Sequence, residues 1–135
     1  MSFLKNSDIE NILGREQHKE LISINGQTLD YKKILITGSG GSIGNALISR
    51  LEKFDGEILQ TDIVEGFEYL DVTDETAIKK VLDSYSPDLI FHLAGAKHAP
   101  EGEVDTWNTF EINTIGTNNI IKNIGNSCKF ILTST

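Results

Sequence analysis

Residues 34–44 read Ile34-Leu35-Ile36-Thr37-Gly38-Ser39-Gly40-Gly41-Ser42-Ile43-Gly44, an apolar run ending in a glycine-rich turn that opens an amphipathic segment. A buried strand followed by such a turn and a helix is a context for binding phosphate. Gly38 permits the tight turn, Gly41 lets the backbone approach a pyrophosphate with no Cβ in the way, and Gly44 allows close packing of helix on strand. The helix N-terminus adds N–H donors and the positive end of its dipole. A P-loop cradles phosphate similarly but requires Gly-Lys-Ser/Thr, and Gly44 is followed here by Asn45 and Ala46, which excludes it. The plain alternative is a tight strand-to-helix turn of any α/β protein; the flanking strand and helix favour a dinucleotide site.

Outward from this stretch, short apolar runs alternate with longer amphipathic segments, the pattern of βα units feeding a parallel sheet. Strands are expected at 33–37, 57–61, 67–70, 88–93 and 129–133. Between them, 42–53 carries Ile43, Ala46, Leu47 and Leu51 on one helical face, and 74–84 carries Ala77, Ile78, Val81 and Leu82 on another. Thr73 is the expected N-cap of the second helix. A third helix over 105–124 is interrupted in pattern by Gly116 and β-branched residues. The predicted fold is α/β, a Rossmann-type doubly wound parallel sheet of about five strands corresponding to an N-terminal half. Residues 1–30 are expected to form an extension with a short helix at 7–13, a small hairpin being weighed within 15–30, and residues 31–135 are expected to form the nucleotide-binding domain.

The second strand ends at Asp62, about 20 positions beyond the glycine turn, where an acidic residue takes the adenosine ribose hydroxyls. No Arg or Lys follows it closely, so a 2′-phosphate meets a carboxylate with no offsetting cation and NAD is expected over NADP. Asp71-Val72 reads two ways: an acceptor for the adenine amino group with a valine against the ring, or a turn before the next helix. Leu93-Ala94-Gly95-Ala96 places small residues at a carboxyl strand end, where open α/β sheets bind ligands. His92, inside an apolar strand, is read as a packed, hydrogen-bonded histidine with no catalytic role. Lys97 and His98 follow, either facing a sugar or phosphate oxygen or forming a solvated loop pair.

Composition narrows the class further. An apolar fraction of 39%, a charged fraction of 24% and 12 glycines in 135 residues describe an ordinary globular chain. A net charge of −8 with no Lys/Arg cluster excludes a nucleic-acid surface. The single cysteine, Cys128, has no internal disulfide partner and suits a reducing cytosol. No apolar run approaches bilayer length and the start lacks a signal layout, so a cytoplasmic protein is expected, without a metal site.

With these residues in place the chain resembles the extended short-chain dehydrogenases, whose TGxxGxxG spacing appears as Thr37-Gly38, Gly41 and Gly44. Within them it is similar to the CapD-like polysaccharide-biosynthesis family, through Gly40-Gly41-Ser42-Ile43-Gly44, Ala94-Gly95-Ala96-Lys97-His98-Ala99-Pro100 and Asn113-Thr114-Ile115-Gly116-Thr117. The segment Ile9-Glu10-Asn11-Ile12-Leu13-Gly14-Arg15 is similar to the short helix preceding the Rossmann domain in longer members. The resemblance implies 4,6-dehydration, often with 5-epimerisation, of UDP-activated amino sugars, using tightly held NAD(P). By that resemblance, hydride would pass from C4 to the cofactor, water would be eliminated across C5 and C6, and hydride would return at C6. It adds Thr37, Ser42, Ile43, Leu93, Ala94 and Gly95 to the cofactor site and implies substrate binding by Lys97. Ser134-Thr135 match the family's Ser-Thr, with Thr135 as a catalytic hydroxyl. The Asp-Lys pair, the later lysine and the sugar-binding region that follow in the family are not in this sequence. Alone, the 135 residues are expected to hold cofactor without turning over sugar. A homo-oligomer or a complementing C-terminal fragment is the expected partner, and a non-catalytic dinucleotide-binding module is the alternative function.

Overall fold

The computed structural model describes residues 30–96 and 104–133, with Asn11 alone ahead of them. Apart from Asn11 and Asp30, the helix expected over 7–13 and the hairpin considered within 15–30 lie outside the described residues.

Five parallel strands are β1 (Lys33–Thr37), β2 (Glu57–Asp62), β3 (Glu68–Tyr69), β4 (Leu89–His92) and β5 (Lys129–Leu132), ordered β3-β2-β1-β4-β5. This is the doubly wound half-sheet, with its strand order reversing between β1 and β4. Alternation along β1 explains why it sits centrally. Ile34 and Ile36 point to one face and pack with Leu89, while Leu35 points to the other and packs with Ile90, Leu70 and Val72. All three β1 residues are 1% exposed or less, so both faces of the strand must be covered. The carboxylate of Asp88 accepts from the N–H groups of Lys32 (2.8 Å) and Lys33 (3.0 Å), which ties the start of β1 to that of β4.

Helix α1 (Ser42–Arg50) covers the Ile34/Ile36 face through Leu47, Ile48 and Leu51. This corrects the face expected from the sequence, because Ile43 is 60% exposed and Ala46 is also exposed. Gly44 sets the phase of the helix: a Cβ there would meet the carbonyl oxygens of Gly38 and Ser39 at 2.5 Å. Positions 44, 47, 48 and 51 therefore lie inward at helical spacing, and 43 and 46 fall away. The helix also ends short of 53, with Leu51 as C-cap.

Helix α2 (Glu75–Tyr85) covers the opposite face, burying Ile78 and Leu82 with Ala77 and Val81 alongside, as the spacing predicts. Its N-cap is Asp74, whose side chain accepts from Ala77 N at 3.0 Å. Thr73, the expected cap, is engaged elsewhere: its N–H and hydroxyl both donate to Asp71 Oδ1. Asp74→Ala is expected to cost about 1 kcal/mol, and more than Thr73→Ala, by urea melts of the two variants.

The third helical segment is one run of three geometries: α3 (Thr106–Phe110), a π-helical turn (Glu111–Ile115) and α4 (Gly116–Ile121). Gly116 does not break it. It lies where the helix crosses Val72, and a Cβ there would come within 2.6 Å of Val72 Cγ2. Strand β3 is shorter than expected, because pairing with β2 extends only over Thr61↔Glu68 and Asp62↔Tyr69 at the sheet edge. Strand β2 runs one residue longer than expected, and β4 and β5 are slightly shorter. No helix among the described residues is long and apolar enough to cross a membrane.

Candidate functional site

The carboxyl ends of β1, β2 and β4 meet where the strand order reverses, and the glycine turn lies there. Gly38 has a φ of 73°, a left-handed conformation, and a Cβ on it would lie 2.5 Å from Ala94 N. The turn thus presses directly on the β4 exit. Gly41 is the N-cap of α1 with extended dihedrals and no side chain bonded to the first-turn N–H groups. Those donors lack intrahelical partners by geometry, so the turn offers a donor set suited to a phosphate.

Asp62 ends β2 with its carboxylate turned to the glycine turn. Oδ2 accepts from Gly40 N at 2.8 Å, and Oδ1 accepts from Ile63 N at 2.7 Å. Gly40 is confined as well, since a Cβ would meet Val64 Cγ2 at 2.7 Å and Asp62 Oδ2 at 3.2 Å. The structure thus brings Asp62, which ends β2, against the turn. The residues beside it, Ile63 and Val64, are exposed, as is Ile43 at the start of α1.

Of the two readings of Asp71, the structure displays the turn: Oδ1 holds Thr73 N (2.9 Å) and Thr73 Oγ1 (2.8 Å). The Val72 side chain is 4% exposed and belongs to the core beneath Gly116.

At the β4 exit, Leu93 N donates to Thr37 O at 3.0 Å and Ala94 N to Thr37 Oγ1 at 3.4 Å, which binds this loop to β1. Asn113, in the π turn, grips the other end of the loop. Its Oδ1 accepts from Ala96 N at 2.7 Å and its Nδ2 donates to Ala96 O at 3.1 Å. Sequence reasoning quoted Asn113 only within the Asn113–Thr117 stretch of the family resemblance and gave it no role, and it missed Asn119. The latter is 3% exposed and donates through Nδ2 to the carbonyls of Val72 (3.0 Å) and Thr73 (3.2 Å).

His92 is buried among hydrogen-bond partners, Thr37 Oγ1 at 2.6 Å from Nδ1 and Thr117 Oγ1 at 3.0 Å from Nε2. Burial pushes its pKa down from the usual 6.5 to about 4. The neutral ring, with both nitrogens engaged, is a structural group, as the sequence reading has it. In the unfolded chain this imidazole binds its proton near pH 6.5, whereas the folded chain keeps it neutral until about pH 4. The unfolded state then holds the extra proton within that window, so stability is full above pH 6.5 and falls on acidification toward pH 4. At pH 5 the expected loss from this group is about 2 kcal/mol. Urea melts at pH 7.5 and 5 should show this slope in the wild type and its absence in His92→Phe.

Lys97, His98, Ser134 and Thr135 lie outside the described residues.

The family model for the NAD dependent epimerase/dehydratase family matches residues 34–135. The chain is 28% identical, over 98% of its length, to the capsular polysaccharide biosynthesis protein CapD of Staphylococcus aureus. Among solved structures it is similar to an L-threonine dehydrogenase of Clostridium difficile, with 32% identity and a TM-score of 0.68 over 78% of this chain. It is also similar to the UDP-Glc/GlcNAc 4-epimerase of Campylobacter jejuni, with 26% identity and a TM-score of 0.68 over 76% of this chain. The chain spans 26% of the CapD sequence and 37% of each of those two structures.

Proposed function

Because the chain belongs to the NAD dependent epimerase/dehydratase family, we propose that it is the cofactor-binding half of a UDP-N-acetylhexosamine 4,6-dehydratase/epimerase of polysaccharide biosynthesis, working in the cytoplasm on bound NAD(P) with NAD preferred. The observation that carries the reading is the pairing of the uncapped glycine turn with Asp62, whose carboxylate is held against Gly40 at 2.8 Å. The likeness to CapD and the Ala94-Gly95-Ala96-Lys97 segment support the choice of sugar class.

The residues fit a dinucleotide. First-turn N–H groups of α1, with Gly38, Gly41 and Gly44 holding the backbone close, take the diphosphate. Thr37, Ser42 and Ile43 flank it. Asp62, aimed by Gly40 and Ile63, accepts from the ribose hydroxyls, and Asp71 accepts from the adenine amino group with the oxygen that Thr73 does not use. Leu93, Ala94 and Gly95 form the small-residue wall at the β4 exit. Bound here, the cofactor supplies a hydride acceptor and donor for the sugar. Lys97 meets a sugar or phosphate oxygen, and the Thr135 hydroxyl hydrogen-bonds the sugar. His92 moves no proton, since both its nitrogens are bonded within the fold.

The test is calorimetric titration of the protein with NAD+ and NADP+, followed by incubation with NAD+ and UDP-N-acetylglucosamine and detection of the 4-keto product by its absorbance in alkali. Saturable binding of NAD+ tighter than NADP+ is expected. Absence of binding to either dinucleotide removes the reading; product is expected only when a chain carrying the family's Asp-Lys pair, later lysine and sugar-binding region is added, and binding without product in that mixture as well favours a non-catalytic dinucleotide-binding module.

A further inference from the structure

A directional string of hydrogen bonds crosses the carboxyl end of the sheet, and its proton positions follow from the partners. Thr117 Oγ1 donates to the carbonyl of Asn113 at 2.8 Å. A hydroxyl has one proton, so toward His92 Nε2, 3.0 Å away, the same oxygen accepts, and the ring is the Nε2–H tautomer. Its Nδ1 then accepts from Thr37 Oγ1 at 2.6 Å, and that threonine oxygen receives Ala94 N–H at 3.4 Å. At the far end Asn113 turns its side chain to both polar atoms of Ala96. The string therefore touches the 94–96 loop twice, at Ala94 through β1 and at Ala96 through the π turn.

An apolar side chain would fill the site of a residue that is 1% exposed without the desolvation cost of an imidazole, so burial alone does not call for histidine. Thr37 is equally buried, at 1%, and no buried side-chain nitrogen or oxygen among the described residues lacks a partner. The Thr37–His92 bond is the buried part of the string, with Thr117 half-buried and Asn113 exposed beyond it, and a satisfied buried pair of this kind specifies geometry. The π turn adds to the argument, because such turns are costly and cluster at functional sites. This one places the Asn113 carbonyl and side chain at the two junctions the string needs.

We propose that His92 is a positioning residue. As the neutral Nε2–H tautomer it fixes Thr37 on β1 relative to Thr117 on α4, and through them holds the backbone of Ala94–Ala96 as a rigid wall of the crevice. The functional consequence rests on the reading that this crevice takes a dinucleotide.

The test uses the full chain, isotope-labelled, in three forms: wild type, Thr117→Val and Thr117→Ser. Valine keeps the shape but removes both the acceptor for Nε2–H and the donor to the Asn113 carbonyl, and serine restores both. In the wild type, long-range nitrogen–proton spectra should show the Nε2–H tautomer. Thr117→Val should shift the Ala94 and Ala96 amide signals and weaken NAD+ binding about tenfold, the order expected when the half-buried Thr117 hydroxyl loses its bonds to His92 and Asn113, and Thr117→Ser should reverse both. Should Thr117→Val fail to fold, His92→Gln is measured for the same amide shifts. An Nδ1–H tautomer in the wild type, or unmoved Ala94 and Ala96 amides in a folded variant, overturns the proposal. If the wild type binds no NAD+, the dinucleotide reading fails, while tautomer and amide shifts still decide whether the string holds the loop.

Discussion

Gly38→Ala is expected to destabilise the protein by roughly 4 kcal/mol, lowering its Tm by roughly 15 °C. Two costs combine at this position. Alanine in the left-handed region, where Gly38 sits at φ 73°, loses about 1–2 kcal/mol. Its Cβ must then displace the Ala94 backbone, which it would meet at 2.5 Å, and that backbone is bonded to β1 through Leu93 N and Ala94 N. Two other glycines separate these costs. Gly66 has φ 97° with nothing near its missing Cβ, so Gly66→Ala should lose only the conformational part. Gly125 has open space and no positive φ, so Gly125→Ala should be neutral or slightly stabilising. Thermal melts of the three variants should rank Gly38, then Gly66, then Gly125. Equal losses at Gly38 and Gly66 would show that contact with Ala94 is not what confines the turn.

The legible parts of this fold were those with short-range causes. The apolar run of β1, the turn glycines and the acidic residue ending β2 are each encoded within a few residues, and each lies where the sequence predicts. The phase of α1 was not legible, because Gly44 orients the helix through the carbonyls of Gly38 and Ser39, and sequence periodicity ranked Ile43 with the core. The cap of α2 was displaced by one residue for a related reason: both Thr73 and Asp74 are good caps, and the turn around Asp71 had already claimed Thr73.

Asn113 and Asn119 illustrate a deeper limit. Each is a helical asparagine whose partners are backbone groups 17 and 46–47 residues away in sequence, so no local pattern gives what they bond. Their effect is to fasten the third helical segment to the β4 exit and to the loop after β3. Val72 was no more legible as core, because the niche for its side chain is opened by Gly116, 44 residues further along the chain.

Asp62→Ala is expected to weaken NAD+ binding by about 10- to 100-fold, the loss of a charge-assisted pair of hydrogen bonds to a ribose diol. The carboxylate is oriented before any ligand arrives, because Gly40 N and Ile63 N hold one oxygen each. NADP+ should respond differently. Its 2′-phosphate brings negative charge to the position of the ribose hydroxyls, and Ile63, Val64 and Glu65, which follow Asp62, provide no cation. Removing the carboxylate removes that repulsion, so NADP+ affinity should hold or rise while NAD+ affinity falls. The ratio of the two dissociation constants is therefore more informative than either alone. A loosened glycine turn, with Gly40 N–H released, would weaken both cofactors together, because both share the diphosphate. Parallel titrations of wild type and Asp62→Ala with NAD+ and NADP+ separate the outcomes. A selective loss of NAD+ assigns Asp62 to the ribose, and an equal loss of both assigns it to holding the turn.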